Sequence, residues 1–109
     1  MTVTTASLNG SIIISVSGEL DMKTAPELDE ALVGCNGDQP VVVDLTALDF
    51  IDSSGIHVLL QKRPSSKPAA LVVAPGSHVA RVLDMVCASK SVLVRSDLDE
   101  AIQDSSNTR

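Results

Sequence analysis

Val41-Val42-Val43-Asp44-Leu45 is a β-branched run without the apolar and polar alternation of a half-wet strand, so it predicts a central strand covered on both faces. Behind it, Ile56, Leu59 and Leu60 recur at helical spacing. They predict a helix that starts after Asp52-Ser53-Ser54-Gly55 and is cut short by Pro64. Leu71-Val72-Val73 repeats the strand pattern after Pro68. A covered strand, a helix and a second covered strand in succession begin an α/β sheet.

Toward the N-terminus, residues 2–8 and 11–18 flank Asn9-Gly10, the dipeptide that best tolerates the positive φ angles of a tight hairpin. Thr24-Ala25-Pro26-Glu27 then fits a capping box, in which Thr24 accepts from the Glu27 amide and the Glu27 side chain reaches back. Leu28, Ala31 and Leu32 continue that helix over residues 24–33, with Gly34 as its stop. Toward the C-terminus, Val79, Val82, Leu83 and Val86 form the apolar series of a third helix after Pro75-Gly76-Ser77. Residues 91–95 read as a short strand, and Ser96-Asp97-Leu98-Asp99 caps a last helix with Leu98, Ala101 and Ile102 inward. The order β-β-α-β-α-β-α-β-α predicts a single α/β domain over residues 1–109, a mixed sheet of about five strands with about four helices on its faces. Its polar tail, residues 104–109, is expected to fray.

Composition limits what such a domain can bind. A chain of 109 residues with 44% hydrophobic content supports one core. Phe50 is its single aromatic residue, which removes the stacking platform that single-stranded nucleic acid needs. A formal charge of −6 repels phosphate backbones and anionic lipid, so neither nucleic acid nor direct membrane insertion is expected. Met1-Thr2-Val3-Thr4-Thr5 has no basic leader or signal-peptide core, and no apolar run approaches a bilayer span, which predicts a cytoplasmic protein. Cys35 and Cys87 stand in unrelated contexts without metal-ligand spacing and read as free, buried thiols. No metal, cofactor or catalytic set is indicated.

Ligands and partners usually meet an α/β sheet at its strand-to-helix turns. Two of them carry unusual polar sequence here, Gly18-Glu19-Leu20-Asp21 and Asp49-Phe50-Ile51-Asp52-Ser53-Ser54-Gly55. A serine at a helix N-terminus is commonly a cap. That explains one serine and leaves the second serine, Asp52 and Gly55 without a role, since glycine early in a helix costs about 1 kcal/mol against alanine. Close approach of another backbone or a nucleotide would account for the glycine. Asp21 reads equally as part of a binding surface and as a turn-forming aspartate that ends a strand; Asp44 reads as structural, and Asp49 as either. His57, four residues after Ser53, invites a hydrolase reading with Asp52 as orienter. The missing Gly-x-Ser-x-Gly elbow and the acidic surroundings argue against it. His78 falls in the first turn of the third helix.

Gly18-Glu19-Leu20-Asp21 with Thr24-Ala25 and Leu28, the strand from Val41, Asp52-Ser53-Ser54-Gly55 with Leu59 behind it, Leu71-Val72-Val73-Ala74 and Val82-Leu83 together resemble the STAS domain, in its free-standing bacterial anti-sigma factor antagonist branch. The resemblance implies that Ser53 is phosphorylated by an anti-sigma factor with a GHKL-type kinase fold. The unphosphorylated antagonist would then bind that kinase and release a sigma factor, and a metal-dependent serine phosphatase would reset it. It also implies a partner surface of Glu19, Asp21, Thr24, Asp52, Ser54, Gly55, Ile56 and His57. His57 departs from the family, which usually has a small residue there. So does Gln61-Lys62-Arg63-Pro64-Ser65-Ser66-Lys67-Pro68, where the family has a longer helix and a glycine turn. Two other classes stay open: an accessory subunit of a lipid-transporter or stress-sensing assembly, and a nucleotide-binding regulatory module, although no Gly-x-x-x-x-Gly-Lys phosphate loop is present.

Overall fold

The computed structural model describes residues 1–35, 39–60, 70–87, 93–98 and 102. Its elements run β1 (Thr2–Leu8), β2 (Ser11–Leu20), α1 (Ala25–Val33), β3 (Val41–Ile51), α2 (Ser53–Leu60), β4 (Ala70–Val72), α3 (His78–Cys87) and β5 (Leu93–Arg95). The strands make one sheet in the order β1-β2-β3-β4-β5. β1 is antiparallel to β2, and every later neighbour pair is parallel. Asn9 and Gly10 turn the opening hairpin with φ of 52° and 84°, the geometry that their pairing favours. Three helices are described where about four were expected. Of the expected last helix, Leu98 and Ile102 are helical, and its other residues lie outside the described ones, as do residues 61–69, the tail 104–109 and the side chain of Cys87.

Sheet register explains why the central strands lack alternation. Ile14, Val43 and Leu71 are neighbours across β2, β3 and β4, and all three belong to the cluster that holds Leu28 and Leu32 of α1, Leu59 of α2 and Leu83 of α3. The next row, Ile13, Val42 and Ala70, faces the other way and packs with Ile102, flanked by Leu98. The described helices α1, α2 and α3 therefore share one face, and the C-terminal segment covers part of the other. A strand buried on both sides has no position for a polar residue. Each fully buried leucine or isoleucine on these faces contributes about 1.5–3 kcal/mol, more than any single cap or hydrogen bond described below. Core packing thus sets where the loops lie.

β3 is longer than the run Val41–Leu45 that signalled it, because two bulges let it continue to Ile51. Ile12 pairs with Val41 and Leu20 with Ile51, with register shifts between Ser15 and Ser17 and between Gly18 and Glu19. Each shift places an extra residue in β3 and turns the next apolar side chain back to the same face. Leu45, Leu48 and Ile51 consequently all enter the helix-side core at a spacing of three residues, which imitates a helical period. Asp44 sits at the first bulge, where its Oδ1 accepts from the Thr46 amide at 3.0 Å and the Thr46 hydroxyl at 2.7 Å. Its structural reading is the one that these bonds support.

Cys35 is buried behind α1, its Sγ donating to the Ala31 carbonyl at 3.3 Å, and burial pushes its thiol pKa up. That is the environment of an inert thiol. No helix among the described residues is long and apolar enough to cross a membrane.

Ser11 is fully buried and its Oγ has no hydrogen-bond partner. An unpaired buried hydroxyl costs stability, so Ser11→Ala should raise stability by about 1 kcal/mol, or several degrees in Tm for a domain of this size. Calorimetry of the two proteins checks this; a lower Tm for the alanine variant would show that the hydroxyl is paired in solution.

Candidate functional site

The end of β3 delivers Asp52 to the end of β2, where the Asp52 amide donates to the Leu20 carbonyl at 3.1 Å. Asp52 Oδ1 accepts from the Ser54 amide at 2.9 Å and the Gly55 amide at 3.2 Å, and its backbone carbonyl accepts from the Ile56 amide at 3.0 Å. Asp52 is therefore the N-cap of α2, in the role that the simplest reading gave to a serine. Ser53 is the first residue of the helix, exposed to solvent, and its hydroxyl makes no hydrogen bond to a described residue.

Gly55 is needed for an internal reason. A Cβ built there would stand 2.6 Å from Leu20 Cγ, 2.8 Å from Leu20 Cδ2 and 3.0 Å from Ile51 Cγ1. The first turn of α2 rests directly on the ends of β2 and β3. This corrects the expectation that the glycine admits an external backbone or nucleotide: Gly55 is buried under its own fold.

The capping box expected at α1 is absent. Thr24 is the N-cap, but its side chain makes no cap hydrogen bond, and the Glu27 amide donates to the Thr24 backbone carbonyl at 3.0 Å. The Thr24 hydroxyl is held elsewhere: it accepts from the Asp21 amide at 2.9 Å and donates to the Glu19 carbonyl at 2.8 Å. Asp21 Oδ1 accepts from the amides of Lys23 at 3.0 Å and Thr24 at 3.1 Å, and lies 3.2 Å from the Thr24 hydroxyl. Glu19, Asp21 and Thr24 thus close one turn, and a local structural role accounts for these bonds. The Thr24 amide above all, with its hydroxyl and Lys23 helping, holds the Asp21 carboxyl below the usual carboxylate range against the opposing effect of partial burial.

Between these two turns lies an open groove of about 520 Å³. Its α1 wall is Met22, Ala25, Pro26 and Asp29. Its α2 wall is Ser53, Ser54, His57 and Val58. The structure so brings together Ser53, Ser54 and His57 of the expected site; Glu19, Asp21, Thr24, Asp52, Gly55 and Ile56 support or flank the groove without lining it. Sequence reasoning missed Pro26, Asp29 and Val58 of the lining, and above all Met22. It is 74% exposed, an apolar side chain with no core to fill, on a turn whose neighbours are polar. His78 also gains a partner, its ring stacking on Phe50 with centroids 5.5 Å apart and planes 8° from parallel. The hydrolase arrangement does not form: no hydrogen bond joins Asp52, His57 and Ser53 side chains, and Asp52 Oδ1 is turned to the helix amides.

Among the described residues, α1, α2 and α3 share one face of a mixed sheet, and α2 presents Ser53 beside a groove. Residues 2–101 match the STAS domain family, and the chain belongs to it. It is 33% identical over 106 residues to the anti-sigma-F factor antagonist RsfB of Mycobacterium tuberculosis, a match covering 94% of this chain and 87% of RsfB. Its structure resembles that of an anti-sigma factor antagonist from Mycobacterium paratuberculosis, with a TM-score of 0.81 at 27% identity over 96% of this chain and 93% of the other. It shares the fold of the phosphorylated Bacillus cell fate determinant SpoIIAA, with a TM-score of 0.64 at 15% identity over 99% and 100% of the two chains.

Two measurements check this geometry. In thermal unfolding, Asp52→Ala should lose about 1 kcal/mol as the cap goes, Ser53→Ala should stay within about 0.5 kcal/mol of wild type, and Gly55→Ala should lose about 1–3 kcal/mol by overpacking. A Ser53→Ala cost equal to that of Asp52→Ala would reverse the assignment of the cap. Because folding lowers the Asp21 pKa, its stabilising contribution is complete above the usual carboxylate range and is lost as the pH falls through the depressed folded value. Asp21→Asn should flatten the acid limb of the Tm–pH curve; an unchanged limb would contradict the bonds to Thr24.

Proposed function

We propose that this protein is a cytoplasmic anti-sigma factor antagonist whose affinity for its partner is switched by phosphorylation of Ser53. Support comes from the relatives named above and from one local observation: the Ser53 hydroxyl is exposed and uncommitted, while the helix that carries it is capped by Asp52. A modifying kinase can take such a hydroxyl without unravelling the helix. Unphosphorylated, the protein docks its α1–α2 groove on an anti-sigma factor with a GHKL-type kinase fold, and the sigma factor is released. Met22 and Val58 offer apolar contact there, and Ser54 and His57 offer polar contact.

Phosphorylation adds about −1.5 to −2 charges at the groove mouth. The Ser54 and Gly55 amides, which would otherwise welcome an anion, already bond the Asp52 carboxylate. The phosphate would thus meet Asp52 and Asp29 rather than a vacant anion site, and docking a partner over it would desolvate charge without compensation. The phosphoform keeps its fold and loses its partner, until a metal-dependent serine phosphatase resets it.

The test is a pull-down from native lysate with wild type, Ser53→Ala and Ser53→Glu as baits. Capture of a GHKL-type anti-sigma factor by wild type and Ser53→Ala, and not by Ser53→Glu, is the expected result. Equal capture of an unrelated complex by all three would replace this reading with that of an accessory subunit.

A further inference from the structure

We infer that His57 is the internal counter-charge of phosphorylated Ser53, closing over the phosphate across one turn of α2 and making the phosphoform sensitive to pH near neutrality. The inference rests on the proposed phosphorylation and concerns what the phosphate does once attached.

Both residues lie on α2 four positions apart and line the same groove. Side chains at that spacing have Cβ atoms about 5–6 Å apart. Helical Cα–Cβ bonds tilt toward the N-terminus, so the imidazole of His57 leans back over the turn that begins with Ser53, and the reverse reach is not required. A phosphate on the serine and a ring on the histidine together span that gap.

Three of the first-turn amides that could hold a phosphate are already taken. Asp52 Oδ1 takes the Ser54 and Gly55 amides, and the Ile56 amide donates to the Asp52 carbonyl. Among the residues lining the groove, His57 is the one whose side chain can carry a positive charge. Among the described residues, the other charged groups lining or flanking the pair are the carboxylates of Asp29 from α1 and Asp52 from the turn, with Asp21 and Lys23 at the neighbouring strand end, where Lys23 is engaged with Asp21. The carboxylates repel the phosphate, and a dianion outcompetes a single carboxylate for an imidazolium. Histidine is suited to the task because its charge changes between about pH 5 and 8, the range in which a phosphate takes its second charge. Pairing also engages a ring on the groove wall that a partner would contact, so the phosphate removes a contact as well as adding charge.

The experiment uses the full chain with phosphoserine placed at position 53 by an expanded genetic code, which makes it independent of any kinase. Phosphorus NMR follows the phosphate, and proton NMR follows the His57 ring, assigned with His78→Gln. In the phosphoprotein the phosphate should titrate about half a unit lower than in the His57→Gln phosphoprotein, and the His57 ring should titrate at higher pH than in the unphosphorylated protein. Circular dichroism of the exposed-site variant His57→Gln confirms its fold. Identical phosphate titration with and without His57 would overturn the pairing, even if Ser53→Glu abolishes partner capture. A shifted titration together with capture that ignores position 53 would uphold the pairing and overturn the proposed switch.

Discussion

The contact of Gly55 with Leu20 and Ile51 is the constraint on which the site depends. Leu20 is wholly buried at the end of β2, and the hydrogen bond from Asp52 to its carbonyl joins that strand to the end of β3. With hydrogen in place of a side chain, the first turn of α2 settles on both strand ends. A Cβ there would stand 2.6 Å from Leu20 Cγ, so a larger residue pushes the turn and the strand end apart. Lifting the turn would move Asp52, Ser53 and His57 together, since the cap, the serine and the groove wall belong to one rigid piece. A glycine that costs helix propensity is retained because helix position matters more than helix stability.

The bulges of β3 serve the same end. Without them, residues beyond Leu45 would alternate between faces, and Leu48 and Ile51 could not both reach the helix-side core. Two register shifts keep Leu45, Leu48 and Ile51 on one face and carry the strand to the place where Asp52 can cap α2. At the first shift the Asp44 carboxylate accepts from the Thr46 amide, a backbone group left at the bulge. At the other wall of the groove the same division appears: Ala25 and Leu28 anchor α1 in the core, while Asp21 and Thr24 hold its entry turn.

Division of labour at the α2 terminus gives the site its chemistry. One residue, Asp52, supplies the structural anion at the helix end, and the next, Ser53, is left chemically free. Had the serine been the cap, modifying it would have cost the helix its start. Placing an aspartate there makes the cap independent of the serine hydroxyl and occupies the Ser54 and Gly55 amides. In the proposed switch, the charge of a phosphate would therefore fall on the groove and its neighbours Asp29 and His57.

Much of the fold was legible in the amino-acid order because its signals are local. The Asn9-Gly10 turn, the doubly covered runs at Val41 and Leu71, and the apolar series of α1 and α3 each follow from backbone geometry or burial within one element. The place where α2 starts, at Asp52-Ser53-Ser54-Gly55, was legible in the same way. The true cap of α2, the missing capping box at Thr24, the length of β3 and the exposed Met22 were not legible. Each depends on a contact between segments distant in sequence: Leu20 against Gly55, β2 bulging against β3, the Glu19 carbonyl claiming the Thr24 hydroxyl, and α1 standing across a groove from α2. Sequence alone determined which elements form and which turn is chemically unusual, since propensity and period act over a few residues. Tertiary structure decided which side chain caps, which lies buried and which hydroxyl stays free, because those outcomes are settled by competition among partners that only the packed sheet brings together.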